Sequence, residues 1–340
     1  RMKNIILVLS LGIFNTSLFA QPSIQWQKCL GGTKAEEAAC IRQTSDNGYI
    51  TTGATSSNNG DIFGNHGAVD CWVVKLSETG SIQWKKTLGG TDNEWPLSIE
   101  QTNDGGYVMA GVTQSNNGDV TGHHGDKDAW VVKLDSTGTI QWQKALGGSG
   151  WDDAWSAHQT LDGGYIVAGR SNSLDGDVAG NHGGLDYWVV KLNEIGEIQW
   201  SKSYGGSLND MAYSIRQTHN GGYIVVGETD SNDGNVTGNH GGSDYWVVKL
   251  SEEGAIEWQK ALGTTSLDRA NEVHPTSDGG YIVVGIVSGN NGNVTGHHGG
   301  YDYWAVKLNS VGDVEWQKAL GGSDEDFAQY RSFFSRNNIN

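Results

Sequence analysis

Proline is nearly absent, 3 in 340 residues, which excludes collagen and Pro-rich disorder, both of which need proline every few positions. Cysteine is as scarce. Cys29, Cys40 and Cys71 are the full set, all in the first quarter of the chain, and an odd count leaves at least one thiol without an internal partner. In later copies of the repeat described below their places pass to residues such as Thr87, Ser98 and Ala129, so no disulfide framework supports the fold. Charged residues make up only 18% of the chain, far from the density of a disordered acidic or basic segment. Also missing are a G-x-S-x-G elbow, an H-E-x-x-H helix and a phosphate-cradling glycine loop. Scattered carboxylate pairs such as Asp152-Asp153 and Glu252-Glu253 read as solvated turns.

What is abundant is glycine, 51 residues, together with 14 Trp and 12 Tyr. That aromatic content belongs to a packed protein. The formal charge is −17 and becomes −19 without residues 1–20, whose only charges are Arg1 and Lys3. Such a field disfavours nucleic acid and anionic membrane surfaces, which require cationic partners, and leaves a cation as a natural ligand. Residues 1–20 combine a basic start, the apolar run IILVLSLGIF and Ala20 before Gln21, the pattern of a secretory signal. Asn15 and Thr16 cut the run short of the roughly 20 apolar residues that a membrane span needs. The expected location is therefore outside the cell, secreted or on its surface, with no membrane insertion of the mature form.

An internal repeat dominates the rest. The tryptophan of IQW or its variants recurs at Trp26, Trp84, Trp142, Trp200, Trp258 and Trp316, and that of WVVKL at Trp72, Trp130, Trp188, Trp246 and Trp304, always 58 residues apart. Tyr49, Tyr107, Tyr165, Tyr223 and Tyr281 keep the same step. Each copy runs through A-x-S-I-x-Q-T, a DGG or NGG turn, GYIVVG, a polar loop such as SNDGNVTGNHGGSD, DYWVVKL, a turn ending in glycine, and IQWQKALGG. Gly-containing turns between apolar runs mark two hairpins. The GYIVVG strand is apolar on both faces and reads as interior, whereas IQW alternates with Gln and Lys and reads as peripheral.

Four antiparallel strands per 58 residues, with repeated aromatic and Gly markers, predict an all-β chain: a β-propeller of four-stranded blades. A β-solenoid would have shorter coils. Complete blades are expected at about 37–90, 95–148, 153–206, 211–264 and 269–322 within a repeat domain of 21–330, followed by a non-repeat tail, 331–340. Residues 24–30 read as an outer strand without its blade and 323–328 as the start of another, so five blades are complete and a sixth is incomplete. The middle of that sixth blade is missing, as in a truncated ring; a five-bladed ring with spare ends is the alternative.

The segments DGGYIVVG, DYWVVKL and IEWQKALGG, with the NDGNVTGNHGG loop between them, resemble the repeat proteins of secreted and surface type in Bacteroidetes-type bacteria, over about residues 24–328. The resemblance implies a β-propeller, adhesive or extracellular binding roles, and often a C-terminal sorting domain for type IX secretion, a pattern this sequence does not show.

Chemistry is sought in the one polar constellation that repeats, the long loop. Asp61, Asp70, Asp119, Asp128, Asp177 and Asp186 are candidate Ca²⁺ ligands, because Ca²⁺ accepts clustered oxygens around a glycine turn; the competing role is to shape the turn by bonding their own backbone. His66, His124, His182, His240 and His298 are expected to fasten the loop rather than to converge on zinc. Trp72, Trp130, Trp188, Trp246 and Trp304 are candidate ligand-binding residues, as sugar-stacking platforms, or else packing between blades. Because the copies are so similar, no blade is singled out as an active site, and no catalytic residue is assigned. The expected function is a non-enzymatic binding or surface-interaction scaffold for an extracellular protein or glycan. A multivalent lectin is the alternative and an extracellular hydrolase the third reading. A cleft gathering unlike acid, base and nucleophile would favour the hydrolase.

Overall fold

A computed structural model describes residues 23–326. Residues 1–22, with the signal expected at 1–20, and residues 327–340, with the tail expected at 331–340, lie outside the described residues. Twenty strands form five four-stranded antiparallel sheets, each made of four consecutive strands in sequence order. The fold is an all-β propeller, with five complete four-stranded blades among the described residues. In the first sheet the strands are Glu36–Gln43, Tyr49–Thr55, Asp70–Leu76 and Ile82–Leu88, and the other four follow at the 58-residue step.

Alternation of side chains at a period of two explains why the second and third strands are apolar throughout. In the fourth sheet Trp246, Val248 and Leu250 pack against the third sheet, while Tyr245 and Val247 pack against the fifth. Every main core cluster therefore spans two sheets, and a lone sheet has no core. First strands neighbour one another round the axis, whereas fourth strands are half-exposed at the rim.

The contact of an outer tryptophan with the tyrosine and turn glycine of the next blade recurs at each interface between sheets. Trp84 stacks edge-on against Tyr107, 5.6 Å between centroids, and donates its indole N–H to the Ser136 carbonyl at 3.0 Å. It lies where a Cβ on Gly138 would fall, 2.8 Å away, so glycine with φ of +79° is needed there for both space and turn geometry. Within each blade the DGG turn is tied to the third strand: Lys75, Lys133, Lys191 and Lys307 pair with Asp46, Asp104, Asp162 and Asp278 at 2.8–2.9 Å. The fourth blade has Asn220 in the turn, and there Lys249 pairs with Glu257 instead, also at 2.9 Å.

Packing between the fifth and first sheets has no counterpart to that of the other interfaces. Trp316 is 48% exposed, and Tyr303 and Ala305 are only half-buried where their equivalents are buried. On the other side, residues 24–30 form no ladder among the described residues. They nevertheless take the place of an outer strand: Trp26 meets Tyr49 at 5.6 Å and bonds the Glu78 carbonyl at 2.9 Å, as Trp84 does one step later. Residues 321–326 likewise open the next blade, with the Asp326 N–H donating to the Tyr301 carbonyl at 2.7 Å. Between Trp26–Leu30 and the first sheet lies a groove of about 440 Å³.

Two predictions test this architecture. Tyr187 and Tyr245 donate their buried hydroxyls to the Trp246 and Trp304 carbonyls of the next blade, at 2.9 and 3.1 Å. Tyr187→Phe and Tyr245→Phe should each cost about 1 kcal/mol in urea unfolding, whereas Tyr303→Phe, at the open face, should cost nothing measurable. Secondly, the Thr44 hydroxyl and the Lys75 ammonium hold the Asp46 carboxyl down at about 2. Burial opposes the same effect at Asp104, but Lys133 and Thr102 still bring it to about 2. A lowered carboxyl pKa gives stability that is complete above the ordinary value of 3.8 and is lost as pH falls towards 2. Acid titration followed by circular dichroism should show unfolding in that window, with a shallower slope in Asp104→Asn.

Candidate functional site

The long loops hold their polar residues as fasteners. His66, His124, His182, His240 and His298 each place backbone N–H and Nδ1 on one carboxylate oxygen four residues on, of Asp70, Asp128, Asp186, Asp244 and Asp302, the ring contact spanning 2.6–2.8 Å. Asp61, Asp119 and Asp177 turn the other way and accept the Gly31, Gly89 and Gly147 N–H groups at 3.1–3.2 Å. The two halves of the expected Ca²⁺ set thus serve different interfaces: Asp61 faces the preceding repeat, Asp70 the following one. No group of three or more His, Cys, Asp or Glu side chains forms a metal cluster among the described residues.

The tryptophans expected to present sugar-stacking faces do not. Trp72 is 8% exposed, and Trp130, Trp188, Trp246 and Trp304 are at most 1% exposed. Trp130, Trp188, Trp246 and Trp304 pack between sheets, with the indole N–H bonded inside the blade, as Trp188 to Ser201 at 2.8 Å, while Trp72 packs against Trp26 and Leu30. Removing Trp188 would cost about 3–5 kcal/mol of stability.

Unlike chemistry collects on the axis instead. One position of the first strand, two residues before the turn, reads Arg42, Glu100, His158, Arg216 and His274 round the ring; the position at its start reads Glu37, Trp95, Asp153, Met211 and Arg269. The second strand adds Arg170 and Glu228 where other blades have Ala54, Val112 and Ile286. All four arginines among the described residues stand at these positions. The blades are therefore alike in frame and unlike in lining, which corrects the expectation that none is special. It also corrects the reading of Asp152-Asp153 as a solvated turn: both are fully buried in a strand.

At the long-loop end Arg170 donates to Asp153 at 2.8 Å and lies over Trp155, 5.6 Å from its centroid. Trp155 meets Tyr213 edge-on at 4.9 Å, and the Tyr213 hydroxyl donates to Glu228 at 2.9 Å. At the short-turn end Arg216 pairs with Glu272 at 2.5 Å, and His158 Nδ1 pairs with Glu100. His158 Nε2 lies 3.1 Å from the Ser156 hydroxyl. Burial lowers the pKa of His158. Burial works to raise Glu100, but the His158 hydrogen bond and charge outweigh it and keep the carboxylate ionised.

Serine, imidazole and carboxylate are thus in the order of a hydrolytic triad. Access to the serine is narrow. The axial cavity bounded by Arg42, Ser156, His158, Arg216 and Glu272 measures about 10 Å³, room for one water and no substrate. The Ser156 oxygen also accepts the Ile215 N–H at 3.4 Å, and Ser214, which has no histidine beside it, does the same for Val273. The serine is a strand-to-strand spacer. Outside this plug, a recess of about 300 Å³ opens on the short-turn face, lined by Glu100, His158, Leu161, Arg216, Gln217 and His219 among others.

No family model matches the chain. The regulatory protein FlaEY of Caulobacter vibrioides is 26% identical over 289 residues, covering 71% of this chain and 29% of its own length; the chain spans less than a third of that relative. Among solved structures, a protein of unknown function from Dyadobacter fermentans is 12% identical and aligns over 83% of this chain and 81% of its own, with a TM-score of 0.48. A Synechocystis apocarotenoid oxygenase mutant is 12% identical over 86% of this chain and 64% of its own, at 0.46. A Bacteroides vulgatus member of the DUF4221 family is 11% identical over 85% and 86%, at 0.41.

Breaking the axial pair tests its structural weight. Asp153→Ala leaves the Arg170 charge buried without its partner and should cost about 3–5 kcal/mol, read from the urea midpoint.

Proposed function

We propose that the protein is an exported, non-enzymatic scaffold that binds an extracellular protein through the short-turn mouth of the propeller. The observation that carries this is the concentration of unlike charged side chains at the axis of an otherwise repeated frame, next to a recess of protein-binding character: Arg216, His158 and Glu100 at its floor and Leu161, 84% exposed, at its lip. Exposed apolar and charged groups in one depression suit a polypeptide segment. Burial of the five tryptophans removes the support for a lectin with one site per blade. Export rests on the 1–20 pattern, and amino-terminal sequencing of protein recovered from the medium or cell surface should begin at Gln21.

A displayed peptide library panned against the intact chain supplies the binding test. Selected peptides should weaken at least about tenfold with His219→Ala and Leu161→Ser, each mutated residue being exposed, on the scale of an interface hot spot. They should be indifferent to Asn117→Ser on the long-loop face. Peptides insensitive to both mouth variants, or strong binding on a glycan array with none to peptides, would refute the assignment. The hydrolase reading is favoured by one observation, the Ser156–His158–Glu100 order. A fluorophosphonate probe, which labels activated serines, should leave Ser156 unmodified; labelling that disappears in Ser156→Ala would establish hydrolase chemistry.

A further inference from the structure

Each of the four interfaces between consecutive sheets brings together two acids from different blades, Asp70 with Glu94, Asp128 with Asp152, Asp186 with Asp210 and Asp244 with Asp268, and Asp302 meets Asp326 in the same way after the fifth sheet. Nine of these ten side chains are completely buried, Asp326 being the exception. The glycine before the next blade stands between them. A Cβ on Gly205 would lie 2.6 Å from Asp210 Oδ2 and 2.7 Å from Asp186 Oδ1, and one on Gly263 would lie 2.6 Å from Asp268 Oδ2 and 2.9 Å from Asp244 Oδ1. Glycine thus leaves open a space that two carboxylates of different blades border.

Hydrogen-bond accounting shows what that space lacks. The second acid is satisfied: Asp210 Oδ2 accepts Gly206 N–H at 2.8 Å and the Ser231 hydroxyl at 2.9 Å, and Oδ1 accepts Thr229. The first acid is satisfied on one side only. Asp186 Oδ2 accepts both His182 donors, which fixes the carboxylate plane. Oδ1 of Asp70, Asp128, Asp186, Asp244 and Asp302 has no hydrogen-bond partner, in every blade alike. No lysine or arginine pairs with any of these ten acids among the described residues. Burying an anionic oxygen beside a second carboxylate is costly, and this chain repeats the arrangement five times; at Asp128 the His123 Nε2 stands 3.9 Å from the Oδ1, beyond hydrogen-bond reach.

We propose that each of these joints binds a divalent cation of the calcium type, held between the unpartnered Oδ1 of the third-strand aspartate and the carboxylate that opens the next blade. Calcium takes oxygen donors in flexible numbers, so backbone carbonyls and water can complete a shell that only two side chains begin, which zinc chemistry does not favour. The ligand set differs from the loop set read from the sequence: Asp61, Asp119 and Asp177 are outside it. Such an ion would cross-link neighbouring blades at the point where their apolar contacts end.

Terbium, a luminescent calcium substitute, tests this on the intact chain, because Trp130, Trp188, Trp246 and Trp304 each stand two residues from a proposed ligand and can transfer excitation to it. After EDTA treatment, titration should give sensitised emission that saturates at several ions per chain and is displaced by calcium, and calcium should raise the melting temperature over EDTA. Asp302→Asn, at the open end of the ring where loss of folding is least expected, should lower the ion count by one, and Asp61→Asn should leave it unchanged. Absence of emission together with equal melting temperatures in calcium and EDTA would overturn the proposal. So would an ion count that falls with Asp61→Asn and not with Asp302→Asn, since that would restore the loop set. Wild-type titration alone decides the first outcome, so the test survives a variant that fails to fold.

Discussion

A sheet that is apolar on both faces cannot face water on either. The second and third strands of every blade are built this way, and the only cover available is another sheet of the same kind. Core clusters that span two blades are the direct result, and almost every other feature is arranged to hold that contact. The outer tryptophan locks over the turn glycine of the next blade, the tyrosine hydroxyl reaches across to the next tryptophan carbonyl, and the long loop reaches back to the glycine that ends the previous one. Stability is consequently a property of interfaces rather than of blades, as expected of a stacked repeat.

The frame was legible because it is written in period two and in a constant 58-residue step. Strand identity, turn positions, the interior place of GYIVVG and the peripheral place of IQW all follow from pattern and turn chemistry alone. The outer-strand role of residues 24–30 was legible from Trp26 for the same reason, although they form no ladder among the described residues. The tryptophans of WVVKL were ambiguous between platform and packing, since one residue type serves both, and only the position of the adjacent sheet resolves it.

The axis was not legible, and the cause is instructive. Comparing copies draws attention to what recurs, whereas Arg42, Glu100, His158, Arg216 and His274 occupy one register position and share no property except polarity. In sequence each looks like ordinary surface variation on an amphipathic strand. Folding brings the five first strands together round one line, and variation in one column becomes a set of neighbours. A search for the columns that vary most, rather than least, is the signal that could have found them. The acid pairs escaped for a related reason: Asp70 and Glu94 are 24 residues apart in different repeats, and nothing in either repeat alone shows that a glycine holds them face to face.

Packing between neighbours has a consequence for how such a protein changes over generations. In a closed circle, adding or deleting one wedge alters the angle at every contact, so the number of units is fixed by geometry. Among the described residues the core contacts join consecutive sheets, and for contacts of that kind one more 58-residue duplication leaves each existing one as it was. Gene duplication and loss can then act on the count of units without passing through an unfolded intermediate, and the uniform step of the tryptophans along this chain is the record such a history would leave.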